Sequence, residues 1–189
     1  SNRLTDLGIK RIRRIGNHTE FEQIKDYVVG DDFRRINWRA TARTSHLMTN
    51  VYQDERSQQV VCVIDKGRVM QQAFRGMTYL DYAINASLVL SYIAMRKEDK
   101  AGIMTFSDRF EDFVPPSARR GHMQQILETL YRQQTQFAES DFSALTAHVN
   151  QHLSKRSLVV LYTNFANKVS MERQLPYLIQ LNRRHRLLV

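Results

Sequence analysis

The sequence has 189 residues, about one domain on the usual scale of roughly 100 to 200, and a chain of that length buries roughly 70% of its unfolded surface. Hydrophobic residues make up 42% and charged residues 25%, which excludes a disordered tail and a collagen-like fibre. Lys and Arg number 28 against 19 Asp and Glu, a formal charge of +9, which suits an acidic partner, nucleic acid or an anionic membrane surface without choosing among them.

Ser1 stands where a methionine is expected and Val189 falls inside the apolar run Arg186-Leu187-Leu188-Val189. The sequence is therefore read as the soluble part of a longer protein, truncated at its C-terminal end. Residues 1–59 are rich in charge and turn formers and are expected to form an N-terminal extension, and residues 60–189 an α/β domain. Val60 to Ile64, Ala101 to Phe106 and Ser157 to Tyr162 are continuous apolar runs, the pattern of parallel strands buried on both faces. Cys62, the single cysteine, lies in the first of them; it excludes a disulfide scaffold, and its apolar setting argues against a nucleophile. Thr78-x-x-Asp81 reads as a capping box ahead of an apolar helix to about Met95. The uncharged stretch from Tyr82 to Met95 has 14 residues, short of the ~20 that span a bilayer.

Phe110 to Val114 is expected as an added edge strand ended by Pro115-Pro116, followed by a helix starting near Ser117. Met123, Ile126, Leu127 and Leu130 share one helical face, and Phe142, Leu145, Val149 and Leu153 mark another helix. A last helix is expected near Ser170 to Leu181. This alternation predicts a doubly wound, mostly parallel sheet with helices on both faces. In such sheets ligands bind beyond the carboxyl ends of the strands, which directs attention to Asp65, Gly67 and Arg68, to Ser140 and Asp141, and to Thr163 and Asn164.

Gly16-x4-Phe21, then Tyr27-x2-Gly30-Asp31-Asp32-x-Arg34-Arg35-Ile36-Asn37-Trp38-x-Ala40-x-Ala42-Arg43, then Glu55-Arg56 and the strand into Asp65, resemble the bacterial domain of unknown function 58 family. The resemblance implies a von Willebrand factor A-like fold. It also implies a protein-interaction role beside a MoxR-type AAA+ ATPase, in assembly or maturation of other proteins, with a transmembrane hairpin holding the full-length protein at the cytoplasmic side of the inner membrane. The block from Gly30 to Arg43 is expected to pack on the core with Trp38 as its anchor.

Von Willebrand A domains hold a divalent cation through Asp-x-Ser-x-Ser, a threonine and a second aspartate, because hard Mg²⁺ or Mn²⁺ wants an octahedron of oxygens. Here Asp65 matches the first carboxylate, but Gly67 and Val69 replace both serines, Ser140 stands for the threonine and Asn164 for the last aspartate. One definite anion neutralises a dication poorly, and Asp141 adds a second only if its loop turns inward. No cofactor is expected; the competing reading is Mg²⁺ or Mn²⁺ at a degenerate site formed by Asp65, Ser140 and Asn164, in a metal-dependent, phosphoester-cleaving enzyme.

Gly30-Asp31-Asp32 offers paired carboxylates, yet Gly and Asp are also turn formers, and no nucleophile or base lies near in sequence. His148 and His152, at i and i+4, use a zinc spacing but lack the H-E-x-x-H glutamate and a third ligand, and are expected as a helix-surface pair. Arg34-Arg35-Ile36-Asn37-Trp38-Arg39 interleaves basic and aromatic residues in a manner suited to nucleic acid. Because the charge is spread along the chain, nucleic acid is not expected as the partner. Arg183-Arg184-His185-Arg186 reads as the solvated basic end of a helix, or as a contact for anionic lipid heads. No nucleophile elbow, Walker loop or dinucleotide fingerprint is present.

Overall fold

The computed structural model describes residues 9–15, 18–54 and 57–189. The chain divides into two compact units, residues 1–57 and 58–189, each of which is described by itself. Ser1, Gly16, Glu55 and Arg56, singled out above, lie outside the described residues.

The first unit carries a three-stranded antiparallel sheet in the order β1 (Ile9–Ile15), β2 (His18–Asp26), β3 (Met48–Asp54). Between β2 and β3 the chain makes a turn, a 3-10 turn at Phe33–Arg35 and the short helix α1 (Trp38–Thr44). Gly30 has φ of +108°, a conformation open to glycine at little cost. Asp31 accepts a hydrogen bond from the Val28 amide at 3.0 Å and pairs with Lys25 at 3.2 Å. Asp32 caps the 3-10 turn by accepting from Arg34 N. The two carboxylates thus serve the turn, and backbone hydrogen bonds, from Val28 and Arg34 respectively, hold both below the ordinary carboxylate range. Ile36 bridges to Thr49, and Asn37, 7% exposed, caps α1 through Ala40 N while donating to Asn50. Trp38, expected as the anchor, is instead 69% exposed. Ile36 and the capping Asn37 take the buried positions, which leaves the tryptophan on the outer side of the first helical turn. Arg34 pairs with Asp32 at the surface, and Arg43 sits exposed in the last turn of α1.

The second unit is a five-stranded sheet. Its elements in chain order are β4 (Gln59–Asp65), a short hairpin of β5 (Ala73–Phe74) and β6 (Met77–Thr78), α2 (Tyr79–Arg96), β7 (Lys100–Phe106), β8 (Phe110–Ser117), α3 (His122–Tyr131), α4 (Phe142–His152), β9 (Leu158–Tyr162), α5 (Lys168–Arg184) and β10 (Arg186–Leu188). The strand order is β10-β9-β4-β7-β8, parallel except for the antiparallel edge strand β8. This is the doubly wound, mostly parallel arrangement that the alternation of elements predicts.

The alternation of side chains along β4 explains why its whole run is apolar. Val60, Cys62 and Ile64 pack with Leu80 and Ala83 of α2 and with Ile126 and Leu130 of α3. Val61 and Val63 face the other way, onto Leu145 and Val149 of α4 and Leu181 of α5. Each such fully buried aliphatic side chain contributes about 1.5–3 kcal/mol. The capping box forms: Thr78 Oγ1 accepts from Asp81 N at 3.1 Å and Thr78 N donates to the Asp81 carboxylate at 3.2 Å. Burial pushes the Cys62 thiol up to about 11, against hydrogen bonding with Ser87, Ser91 and Tyr162. Among the described residues no helix is long and apolar enough to cross a membrane.

Three boundaries differ from the expected ones. Strand β8 continues through Pro115-Pro116 to Ser117, because the prolines lie in a bulge between the pairs Ile103↔Val114 and Ala101↔Ser117 at the sheet edge, where a missing N–H removes no ladder bond. Gly102 faces the bulge, and a Cβ there would stand 2.9 Å from Val114 O and 3.0 Å from Pro116 N. The next helix starts at His122, after Gly121 at φ +84°, and α5 spans Lys168–Arg184 with Pro176 inside it. His148 and His152 do more than decorate a surface: both stack on the Phe110 ring, at 4.5 and 5.3 Å, tying α4 to the edge strand. His185 of the basic run is fully buried, its Nδ1 accepting from Ser157 N at 3.1 Å.

Candidate functional site

After β4 the chain crosses to β7 on one side, then returns to β9 on the other. The carboxyl ends of β4 and β9 therefore diverge at a topological switch point, where a crevice opens. Asp65, the last residue of β4, is fully buried. Its Oδ1 accepts from Gly67 N at 2.7 Å and from the Ser140 hydroxyl, and its Oδ2 accepts from the Thr163 hydroxyl at 2.8 Å. Burial pushes the carboxyl above its ordinary value, while the bonds from Ser140, Gly67 and Thr163 pull it back.

Backbone hydrogen bonds also stitch the segment before α4 to the residues that follow β4 and β7. Arg68 N donates to Ala138 O at 2.9 Å, Gln136 N to Lys66 O at 2.7 Å, and Asp141 N to Ser107 O at 2.9 Å. A Cβ at Gly67 would collide with the Ser140 hydroxyl and lie 3.0 Å from both Ala138 O and Asp65 Oδ1. The space that a motif serine would need is thus occupied by Ser140, which brings its own hydroxyl to the same carboxylate.

Asp141 does not turn into the crevice. It is exposed, and its carboxylate caps α4 by accepting from Ala144 N at 2.9 Å, because Asp in that position satisfies an orphan amide of the first turn. Asn164 lines the crevice, with its amide 3.4 Å from Val69 O rather than against Asp65. Asp65 and Glu139 are the acids that line the crevice; three protein donors take three of the roughly four acceptor positions of Asp65, and Glu139 pairs with Arg68. Among the described residues no group of three or more His, Cys, Asp or Glu is arranged to hold a metal.

The crevice encloses about 210 Å³. Asp65 and Ser140 lie at its base, Arg68 and Glu139 come from two of the loops, the Phe142 and Phe165 rings pack 6.0 Å apart, and Ser170, Arg173 and Gln174 come from α5. Arg68 lies 3.4 Å from Glu139 and 5.3 Å from the Phe137 ring centre. No His, Lys or Cys lines it, and the Ser140 hydroxyl donates to the Asp65 carboxylate.

Next to Asp65 in the chain begins a buried pair that sequence reasoning missed. Lys66, 6% exposed, reaches Glu111 at 2.5 Å, and the Ser107 hydroxyl lies 3.3 Å from the same carboxylate. Arg173 was also missed, although Ser170, Arg173 and Gln174 stand at i, i+3 and i+4, the spacing of one helix face.

The family model described as "Protein of unknown function DUF58" matches residues 23–189. No curated protein matches the chain. Among solved structures, the SpRpn10 VWA domain is similar over 69% of this chain and 72% of its own, with 10% identity and a TM-score of 0.48. The RO (RSR) protein of Deinococcus radiodurans is similar over 69% of this chain and 26% of its own, with 20% identity and a TM-score of 0.39. An uncharacterized membrane spanning protein from Vibrio fischeri is similar over 69% of each chain, with 13% identity and a TM-score of 0.40.

Proposed function

The chain belongs to the DUF58 family of proteins of unknown function, and we propose that it is a non-enzymatic protein-interaction module whose contact face is the crevice at the carboxyl ends of β4 and β9. The observation that carries this reading is the state of Asp65. The strand-end carboxylate is held by three protein donors from three segments of the chain, which supports a structural part for it in shaping the crevice. What remains is a small cavity lined by charged and aromatic side chains, the composition of a contact surface.

The finer proposal names the partner and the place. The partner is a MoxR-type AAA+ ATPase, and the full-length protein works at the cytoplasmic side of the inner membrane, anchored by further segments. Both rest on the family resemblance carried by the Gly30 to Arg43 block.

The test is capture of purified MoxR-type ATPase by the immobilised chain, with Mg²⁺ and with EDTA, beside an Ala166→Trp variant. Ala166 is exposed at the crevice, so the indole fills the cavity without entering the core. Capture that is equal in Mg²⁺ and EDTA and lost in the variant is the expected result. Absence of capture by the parent chain overturns the ATPase partner, and capture unaffected by the variant overturns the crevice as the contact face.

A further inference from the structure

We propose that the connection between β2 and β3 is a contact for an anionic membrane surface, with Val28, Val29, Phe33 and Trp38 entering the bilayer interface while Arg39 and Arg43 meet the lipid phosphates. The inference concerns the first unit alone. It is separate from the crevice and the ATPase, and adds a contact to the membrane location proposed above without resting on it.

Exposure of apolar side chains comes first. Strands β2 and β3 pair as far as Asp26 and Met48, so the chain from Tyr27 to Leu47 lies past the end of that ladder, apart from Ile36, which returns to bridge Thr49. The base of the connection is fixed: Tyr27 N donates to Leu47 O at 2.8 Å, and the Tyr27 and Phe33 rings lie 5.3 Å apart. Along it Val28, Phe33 and Leu47 are exposed, with Trp38 at 69% and Val29 at 97%. Large apolar side chains gathered on one exposed connection mark an interaction site.

Charge then selects the kind of surface. From Phe33 to Gln53 the sequence carries four arginines, Arg34, Arg35, Arg39 and Arg43, and no Asp or Glu. Arg39 and Arg43 are exposed one turn apart on α1, a like-charge spacing that destabilises a helix. Arg39 also sits in the first turn, where the helix dipole disfavours a cation. Among the described residues neither has a carboxylate partner. The acids of the connection do not offset them: Asp31 is turned onto Val28 N and Lys25, and Asp32 onto Arg34. Helix α1 thus carries charge that the fold leaves unneutralised, complementary to an external anion.

The aliphatic residues decide which anion. Val28, Val29 and Leu47 offer a nucleic-acid base no ring to stack on and a phosphate no hydrogen bond. A bilayer takes aliphatic and aromatic side chains into its acyl boundary while cations sit at its headgroups. Trp38 suits the boundary itself, because its indole is apolar over its body and donates one hydrogen bond.

The experiment is co-sedimentation of the 189-residue chain with vesicles of equal parts phosphatidylcholine and phosphatidylglycerol, and with vesicles of phosphatidylcholine alone. Fluorescence of Trp38, the single tryptophan of the sequence, is read in the same samples. Binding to the anionic vesicles alone is expected, weakened by salt, with a blue shift of the Trp38 emission and its quenching by brominated acyl chains. Arg39→Gln with Arg43→Gln weakens the partition about 25-fold, roughly fivefold for each charge. Val28→Ser with Val29→Ser weakens it about tenfold. Both sets change exposed side chains, and an unaltered thermal midpoint checks that each variant is folded.

No binding to the anionic vesicles, equal binding to both kinds, or binding with the Trp38 emission unmoved overturns the contact. Binding that survives these substitutions and is lost with Arg183→Gln and Arg184→Gln overturns it in favour of the basic end of α5. Single-stranded DNA that binds more tightly than the anionic vesicles overturns it in favour of nucleic acid.

Discussion

Gly67→Ser restores the hydroxyl that a metal-binding Asp-x-Ser motif places two residues after its aspartate, and it is expected to damage the protein rather than to create a metal site. The backbone at Gly67 has φ of −69° and ψ of 179°, open to any residue, so the cost is steric. The new Cβ meets three atoms, of which two cannot yield: Ala138 O is held by Arg68 N at 2.9 Å, and Asp65 is held by its donors. The Ser140 hydroxyl must swing away, and its lost bond to a buried carboxylate costs about 1–3 kcal/mol. Overpacking by the added side chain costs about 1–3 kcal/mol more.

The sum, about 2–6 kcal/mol, lowers the thermal midpoint by roughly 5–20 °C at the ~2–4 °C per kcal/mol of a chain this size. Differential scanning calorimetry with and without Mg²⁺ reads it directly. Combining Gly67→Ser with Ser140→Gly vacates the occupied space, and the introduced hydroxyl then replaces the lost one, so the double variant recovers much of the midpoint. An unchanged midpoint in the single variant, or one that Mg²⁺ raises, would refute the cradle argument.

Lys66→Ala is expected to cost about 3–5 kcal/mol by stranding the Glu111 carboxylate, whereas Lys66→Met with Glu111→Leu costs far less, as buried ion pairs behave when both partners go; urea denaturation compares the two. For His185, burial and then the neighbouring Arg184 and Arg156 hold the imidazole below its ordinary value. The unfolded chain thus takes up a proton near pH 6.5 that the folded chain resists. Stability is complete above that pH and is lost as pH falls toward the folded value. His185→Asn keeps an acceptor for Ser157 N and is expected to flatten the dependence of the midpoint between about pH 5 and 7.5 relative to the parent; identical slopes would remove His185 from the account. Trp38→Ala, at a 69% exposed position, is expected to change stability by about 0.5 kcal/mol or less, and a loss of about 3–5 kcal/mol would place the indole in a core after all.

The legible part of the fold is the part governed by local rules. Strands β4, β7 and β9 were readable because burial on both faces forces an unbroken apolar run, and α2 because Thr78 and Asp81 close a capping box within four residues. Pro115-Pro116 misled for a reason equally local: proline stops a strand only where its N–H is needed, and whether β8 lies at an edge is a property of the whole sheet. The same limit applies to Trp38. Its neighbours Ile36 and Asn37 compete for the buried positions, and the outcome depends on how α1 is capped, not on which side chain is largest.

The candidate site divides along the same line. Asp65, Ser140, Thr163 and Asn164 could be placed at the crevice because strand ends in a doubly wound sheet converge by topology. Their roles depended on direction: a serine from one loop fills the space that Gly67 leaves in another, and Asp141 is drawn away because the first turn of α4 has unpaired amides to satisfy. Two of the charges that line the crevice, Arg68 and Arg173, come from a turn and from a helix far apart in the chain. No spacing rule connects them. Arg173, less than two turns into α5, lines the cavity on the same face as Ser170 and Gln174, a placement set by where the end of that helix meets the strand ends.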